Sequence, residues 1–216
     1  MSDDDPRISS AESLGARPLA LVCVALWLLA AASTRTFGIW LAIGVAAVTL
    51  GVAALVFERP ALTSLLLPSP RLGLIGISAG SLMSAATYLL YPVLARLVPL
   101  VATDTALLYS AFRAPSPLVA AVALAPVIVG EELVWRGVVQ ASLVRRFGAA
   151  LGVLLAAMAY ALVCAPLRSP VLVAVALSCG LVWGTLRATT ASLVPSLLAH
   201  LVWDVLLLLW LPLDPS

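Results

Sequence analysis

Seven apolar runs, at about 18–34, 37–57, 72–95, 115–144, 149–166, 170–186 and 190–211, take up most of the 216-residue chain. Each approaches the roughly 20 residues a helix needs to cross about 30 Å of hydrocarbon. Lipid offers no partner for backbone N–H and C=O groups, so such runs cross as helices. The expected fold class is therefore all-α, a polytopic transmembrane bundle of seven spans. The Pro/Ser-rich stretch 61–70 is too short to cross and reads as an interfacial connector or a re-entrant piece, which leaves eight crossings as the alternative. Composition agrees: 63% hydrophobic and 10% charged residues, with a mean hydropathy of +1.14, exclude a soluble globular domain.

Outside the runs, residues 1–16 are polar and acidic. They read as a disordered tail before a retained first span, with a cleaved signal peptide as the alternative. The chain then divides into this tail, N-terminal transmembrane helices at 17–114 and core helices at 115–211. All twelve basic residues are Arg, which in an Ala/Leu/Val-rich chain suggests a high-GC bacterial gene and a multi-pass protein of the inner (cytoplasmic) membrane. Arg7, Arg17, Arg59, Arg71, Arg145, Arg146 and Arg187 fall on the N-terminal side of alternate loops, against Arg35, Arg96, Arg113 and Arg168 on the other. The positive-inside rule then puts the N-terminus in the cytoplasm. A net charge of +2 with no basic block gives nothing that points to nucleic acid, and no nucleic-acid partner is expected. The stretch 101–113, with Asp104 and Tyr109, is the longest polar connection and is expected to be a loop or a lid over a cavity. Cys23, Cys164 and Cys179 all sit in apolar runs, which argues against a disulfide framework.

Inside the fourth run lie Glu131, Glu132 and Arg136. At mid-membrane each unpaired charge costs roughly 2.5–3.5 kcal/mol, so three facing lipid are not tolerated without a reason. Glu132 and Arg136 are four apart with the acid first, the favourable order for a helical ion pair. Glu131 is left over and lies about 100° round the helix, so it should point into a protein interior or a wet cavity. Pro126, five residues earlier, removes a backbone hydrogen bond and is expected to bend the helix there.

Two further polar spots occur in later runs. Ser196, His200 and Asp204 are spaced by four on one helix face, and His200 is the only histidine. Tyr160 and Cys164 are likewise four apart, with core packing as the ordinary reading of such a pair. At 1.5 Å per residue, Glu131 lies about 24 Å into its run, Cys164 about 22 Å and His200 about 15 Å, so the three can meet near mid-membrane.

Taken in order, Glu-Glu-x-x-x-Arg, aromatic-x-x-x-His and His-x-x-x-Asn/Asp form the signature of the CPBP family of intramembrane proteases, which includes the type II CAAX prenyl endopeptidases and Abi-type bacterial proteins. The chain resembles that family through Glu131, Glu132 and Arg136, then Tyr160 to Cys164, then His200 and Asp204, over about 115–211. The resemblance implies an endopeptidase in which Glu131 activates the attacking water. Glu132 and Arg136 are then the supporting pair, and His200 with Asp204, where many relatives have Asn, holds the developing oxyanion. It also implies a membrane protein or lipid-anchored peptide as substrate and no cofactor; no oligomeric state is assigned.

The departure is Cys164, which stands where the family has the second-motif histidine that helps hold the water. Three readings follow: a subfamily that works with Cys, as in the myxosortase-like branch that processes C-terminal sorting signals of surface proteins; Cys164 as nucleophile; or a catalytically silent scaffold or chaperone of the same fold. Glu131, Cys164 and His200 would also supply three zinc ligands, but there is no second His and no HExxH helix, so metal is left unassigned. A Ser196-His200-Asp204 triad is set aside because residues stacked on one straight helix do not converge on a substrate. A small transporter is a third class, disfavoured by the lack of an internal repeat.

Overall fold

Ser-Pro dipeptides open three of the helices. Proline at the first helical position gives up only an N–H that would be orphaned there, and the serine before it can accept from the N–H three residues on. In the computed structural model, which describes residues 6–113 and 116–213, Ser69 accepts from Leu72 N–H (3.2 Å), Ser116 from Val119 N–H (3.2 Å) and Ser169 from Leu172 N–H (2.9 Å).

In chain order the helices are α1 (Pro6–Phe37), α2 (Ile39–Phe57), α3 (Arg59–Leu65), α4 (Pro70–Leu97), α5 (Pro99–Phe112), α6 (Pro117–Glu132), α7 (Gln140–Phe147), α8 (Ala149–Leu162), α9 (Pro170–Thr190) and α10 (Val194–Asp204). A π-helical segment, Leu133–Val139, joins α6 to α7, and a second, Val205–Trp210, continues α10. The chain is all-α as expected: no strand occurs among the described residues. Six helices there are long and apolar enough to cross a membrane: Pro18–Phe37, Ile39–Phe57, Pro70–Leu97, Leu118–Phe147, Ala149–Leu167 and Pro170–Thr190. The seventh expected run is the shorter apolar Val194–Trp210. Of the tail at 1–16, residues 1–5 lie outside the described residues and α1 begins at Pro6. The boundary between the parts at 17–114 and 115–211 also falls on residues outside them.

One expectation is corrected. The stretch 101–113 is not a loop but most of α5. Two of its polar residues, Asp104 and Tyr109, fasten the helix to its neighbours. Asp104, buried, accepts from the Ser169 hydroxyl (2.8 Å) and the Val171 N–H (2.9 Å), capping the start of α9 where the helix dipole favours an anion. Tyr109 donates to the Leu207 carbonyl (2.7 Å), and the Phe112 carbonyl accepts from Trp40 of α2 (2.9 Å).

Small residues set the close approaches. α4 packs along α10, with Gly76 and Gly80 against Pro195, Leu198, Ala199 and Val202; α8 packs along α9, and α2 along α6. At the last contact a Cβ on Gly130 would run into the Ala47 carbonyl, so only glycine lets α6 lie this close to α2. The main buried cluster gathers Cys23 and Trp27 of α1, Ala47, Leu50 and Ala54 of α2, and Leu133 to Trp135 of the first π segment. Leu21, Leu29, Val56, Leu82, Leu89 and Val122 point outward, as a lipid-facing surface requires.

Candidate active site

The two acids of the first motif end α6, and the π segment that follows is buried along its whole length. π turns recur at functional sites because the wider turn re-aims the neighbouring side chains. The third motif repeats the arrangement: Asp204 ends α10, and the second π segment follows directly. Carbonyls loosened there are taken up by tyrosines from the facing helices, with Tyr88 donating to Leu206 (3.1 Å) and Leu211 (2.7 Å).

Glu132 is fully buried. Its Oε1 lies 3.4 Å from Arg136 Nη1, so the expected pair forms, and 3.0 Å from His200 Nδ1. A carboxylate held by an arginine can only accept, which puts a hydrogen on Nδ1 and turns Nε2 of the ring the other way. Nε2 lies 3.5 Å from Asp204 Oδ2 and 3.9 Å from Glu131 Oε2. The ring is further fixed by stacking on Trp183 of α9, with centroids 3.7 Å apart and planes at 19°. The Arg136 guanidinium sits over the faces of Tyr160 (4.6 Å) and Trp183 (5.1 Å), a cation between two aromatic rings.

Glu131 points away from Glu132, as the 100° offset predicts, and lines a cavity of about 230 Å³. Tyr160, Cys164, His200 and Asp204 line the same cavity, whereas Glu132 and Arg136 stand behind its wall. Tyr160 donates to Glu131 Oε2 at 2.8 Å. Cys164 is bonded through its thiol to the Tyr160 carbonyl (3.4 Å). Most of the remaining wall is apolar and comes from α1, α2, α5, α8 and α9, with Thr105, Leu108, Tyr109 and Phe112 contributed by α5.

The six residues given catalytic roles in the sequence, Glu131, Glu132, Arg136, Cys164, His200 and Asp204, thus gather at one place. The sequence had left Glu131 without a partner, and here it has the Tyr160 phenol. Trp183 was not singled out at all; no spacing rule reaches it, since it touches His200 only because α9 packs beside α10. Ser196 donates back to the Leu193 carbonyl (3.1 Å) and does not line the cavity. Among the described residues no group of three His, Cys, Asp or Glu side chains is disposed to hold a metal ion.

An apolar bundle with two acids and one imidazole lining an apolar-walled cavity defines the class of an integral membrane protein with a polar intramembrane site. Residues 112–206 match the family model described as type II CAAX prenyl endopeptidase Rce1-like, and the three motifs lie within the matched stretch. The match supports intramembrane protease activity of the CAAX type in general. No curated protein and no solved structure matches the chain.

Proposed function

We propose that the protein is an intramembrane endopeptidase that hydrolyses a peptide bond of a membrane-anchored protein or lipid-anchored peptide in the bacterial inner membrane. Glu131 takes a proton from water as the water oxygen attacks the scissile carbonyl carbon. With the Glu132 carboxylate on Nδ1 and the Asp204 carboxylate beside Nε2, His200 acts as an imidazolium with a hydrogen on both nitrogens, and the oxyanion forms against its Nε2–H. As the tetrahedral intermediate collapses, Glu131 returns the proton to the leaving amine, giving a carboxyl and an amine terminus. Glu132 and Arg136 act from behind, by fixing the imidazole.

The observation that supports this most is the approach of Glu131 Oε2 to His200 Nε2, 3.9 Å apart on the wall of one cavity. A base and an oxyanion donor set this close leave a reacting carbon within reach of both. Cys164 in the second motif is the residue through which the chain resembles the myxosortase-like branch, and on that resemblance the proposed substrates are C-terminal sorting signals of surface proteins. Replacing Glu131 by Gln and following the size of candidate membrane substrates tests the mechanism. Cleavage should disappear, and a cleavage that persists undiminished refutes the role given to Glu131.

A further inference from the structure

We infer that Tyr160 is a positioning residue for this hydrolysis: its phenol holds Oε2 of Glu131 so that Oε1 is the atom that meets the water. The inference rests on Glu131 being the base, as proposed above, and adds the residue that aims it.

Three observations carry it. The phenol oxygen lies 2.8 Å from Glu131 Oε2 and donates to it, and both residues line the cavity. A carboxylate in an apolar cavity swings freely about its last torsion unless one oxygen is held, and a reacting oxygen must be placed to within about 0.5 Å to work well. The ring itself cannot wander. Trp135 meets it edge-on with centroids 5.2 Å apart, and the Arg136 guanidinium covers it at 4.6 Å.

The third observation is the state of position 164, one helical turn further on. The Cys164 thiol is a weak donor and is engaged with the Tyr160 carbonyl at 3.4 Å, so it does not do this job. Phenylalanine would fill the same aromatic cage as tyrosine. The hydroxyl is therefore the part of residue 160 that packing does not account for.

The test uses the purified full chain in lipid vesicles with a mixture of synthetic transmembrane peptides as probe, cleavage products being followed by mass spectrometry. Tyr160→Phe keeps the ring and its contacts, and an unchanged unfolding midpoint checks the fold. It should lower kcat by about 10- to 100-fold with KM within about twofold of wild type. Cys164→His placed on top of Tyr160→Phe should restore part of the loss, because an imidazole one turn along offers Glu131 a new donor; a purely structural tyrosine would not be rescued in this way. In infrared difference spectra the carboxyl band that Glu131→Gln removes should shift in Tyr160→Phe. Wild-type kcat in Tyr160→Phe beside an inactive Glu131→Gln overturns the positioning role while leaving the base intact. Wild-type cleavage by Glu131→Gln overturns both, and an unmoved infrared band overturns the hydrogen bond whatever happens to proteolysis.

Discussion

His200 Nδ1 lies 3.0 Å from Glu132 Oε1, the same oxygen that lies 3.4 Å from Arg136 Nη1. One carboxylate oxygen thus ties the first motif to the third across 68 residues of chain. The ion pair is the anchor, and the imidazole is what it aims. This explains why Glu132 stands behind the cavity wall while its neighbour Glu131 lines it.

If Glu132 anchors the site, taking its charge away should cost stability. Removing one member of a buried pair leaves the other uncompensated, at about 3–5 kcal/mol. Glu132→Gln should therefore lower the unfolding midpoint in detergent strongly. Glu132→Gln combined with Arg136→Met should be less damaging than the sum of the two single changes, as a double-mutant cycle would show.

Asp204 faces the cavity with its Oδ2 3.5 Å from His200 Nε2. An asparagine there supplies an N–H donor of nearly the same shape, so Asp204→Asn should keep cleavage within about tenfold. Asp204→Ala takes away the carboxylate that faces His200 Nε2 and supports its charge, and should cost about 10²-fold or more in kcat.

The Cys164 thiol is turned onto a carbonyl rather than toward Glu131 or His200. Cys164→Ser keeps a donor of similar size for that carbonyl and should retain cleavage within a few-fold of wild type, with the same products. Complete loss in this variant, measured beside an active wild type, would instead point to a thiol nucleophile.

The Asp104 carboxylate accepts two hydrogen bonds at the start of α9. Its loss in Asp104→Ala leaves the part-buried Val171 N–H and the buried Ser169 hydroxyl without their acceptor, worth about 1–3 kcal/mol. Faster hydrogen exchange confined to 99–112 and to the first turn of α9 would show that α5 has come loose from the cavity it lines.

Gly130→Ala puts a Cβ into the Ala47 carbonyl, whereas at Gly73 the nearest atom to a new Cβ is Leu198 Cδ1 at 4.0 Å. The first should destabilise by about 1–3 kcal/mol and displace Glu131, the next residue; the second should be close to neutral. Thermal unfolding of the two variants side by side checks the contrast.

Much of the bundle was legible because hydropathy adds up along the chain. Six of the seven runs became long apolar helices, and the seventh became the shorter Val194–Trp210. α5 was misread for the same reason: Asp104, Thr103, Thr105 and Ser110 lower the local sum, and nothing local reveals that Asp104 is matched by Ser169 and Val171. At the site, the spacing of four correctly paired Glu132 with Arg136, although the backbone between them passes into a π turn. Tyr160 was read as core, since a phenol one turn before a thiol carries no sign of a carboxylate waiting on another helix.

The sequence by itself determined an all-α membrane chain with three acids, an arginine and one histidine inside its apolar runs. Those are properties of segments, fixed by the transfer of side chains and backbone into lipid. Tertiary structure decided which nitrogen of His200 meets Glu132 and which meets the cavity, that Tyr160 holds Glu131, and that α5 lines one wall of their cavity. Each depends on how helices distant in sequence approach one another, to within the length of a hydrogen bond. Close packing at Gly130, Gly76 and Gly80 sets that approach, and no period read along one helix contains it.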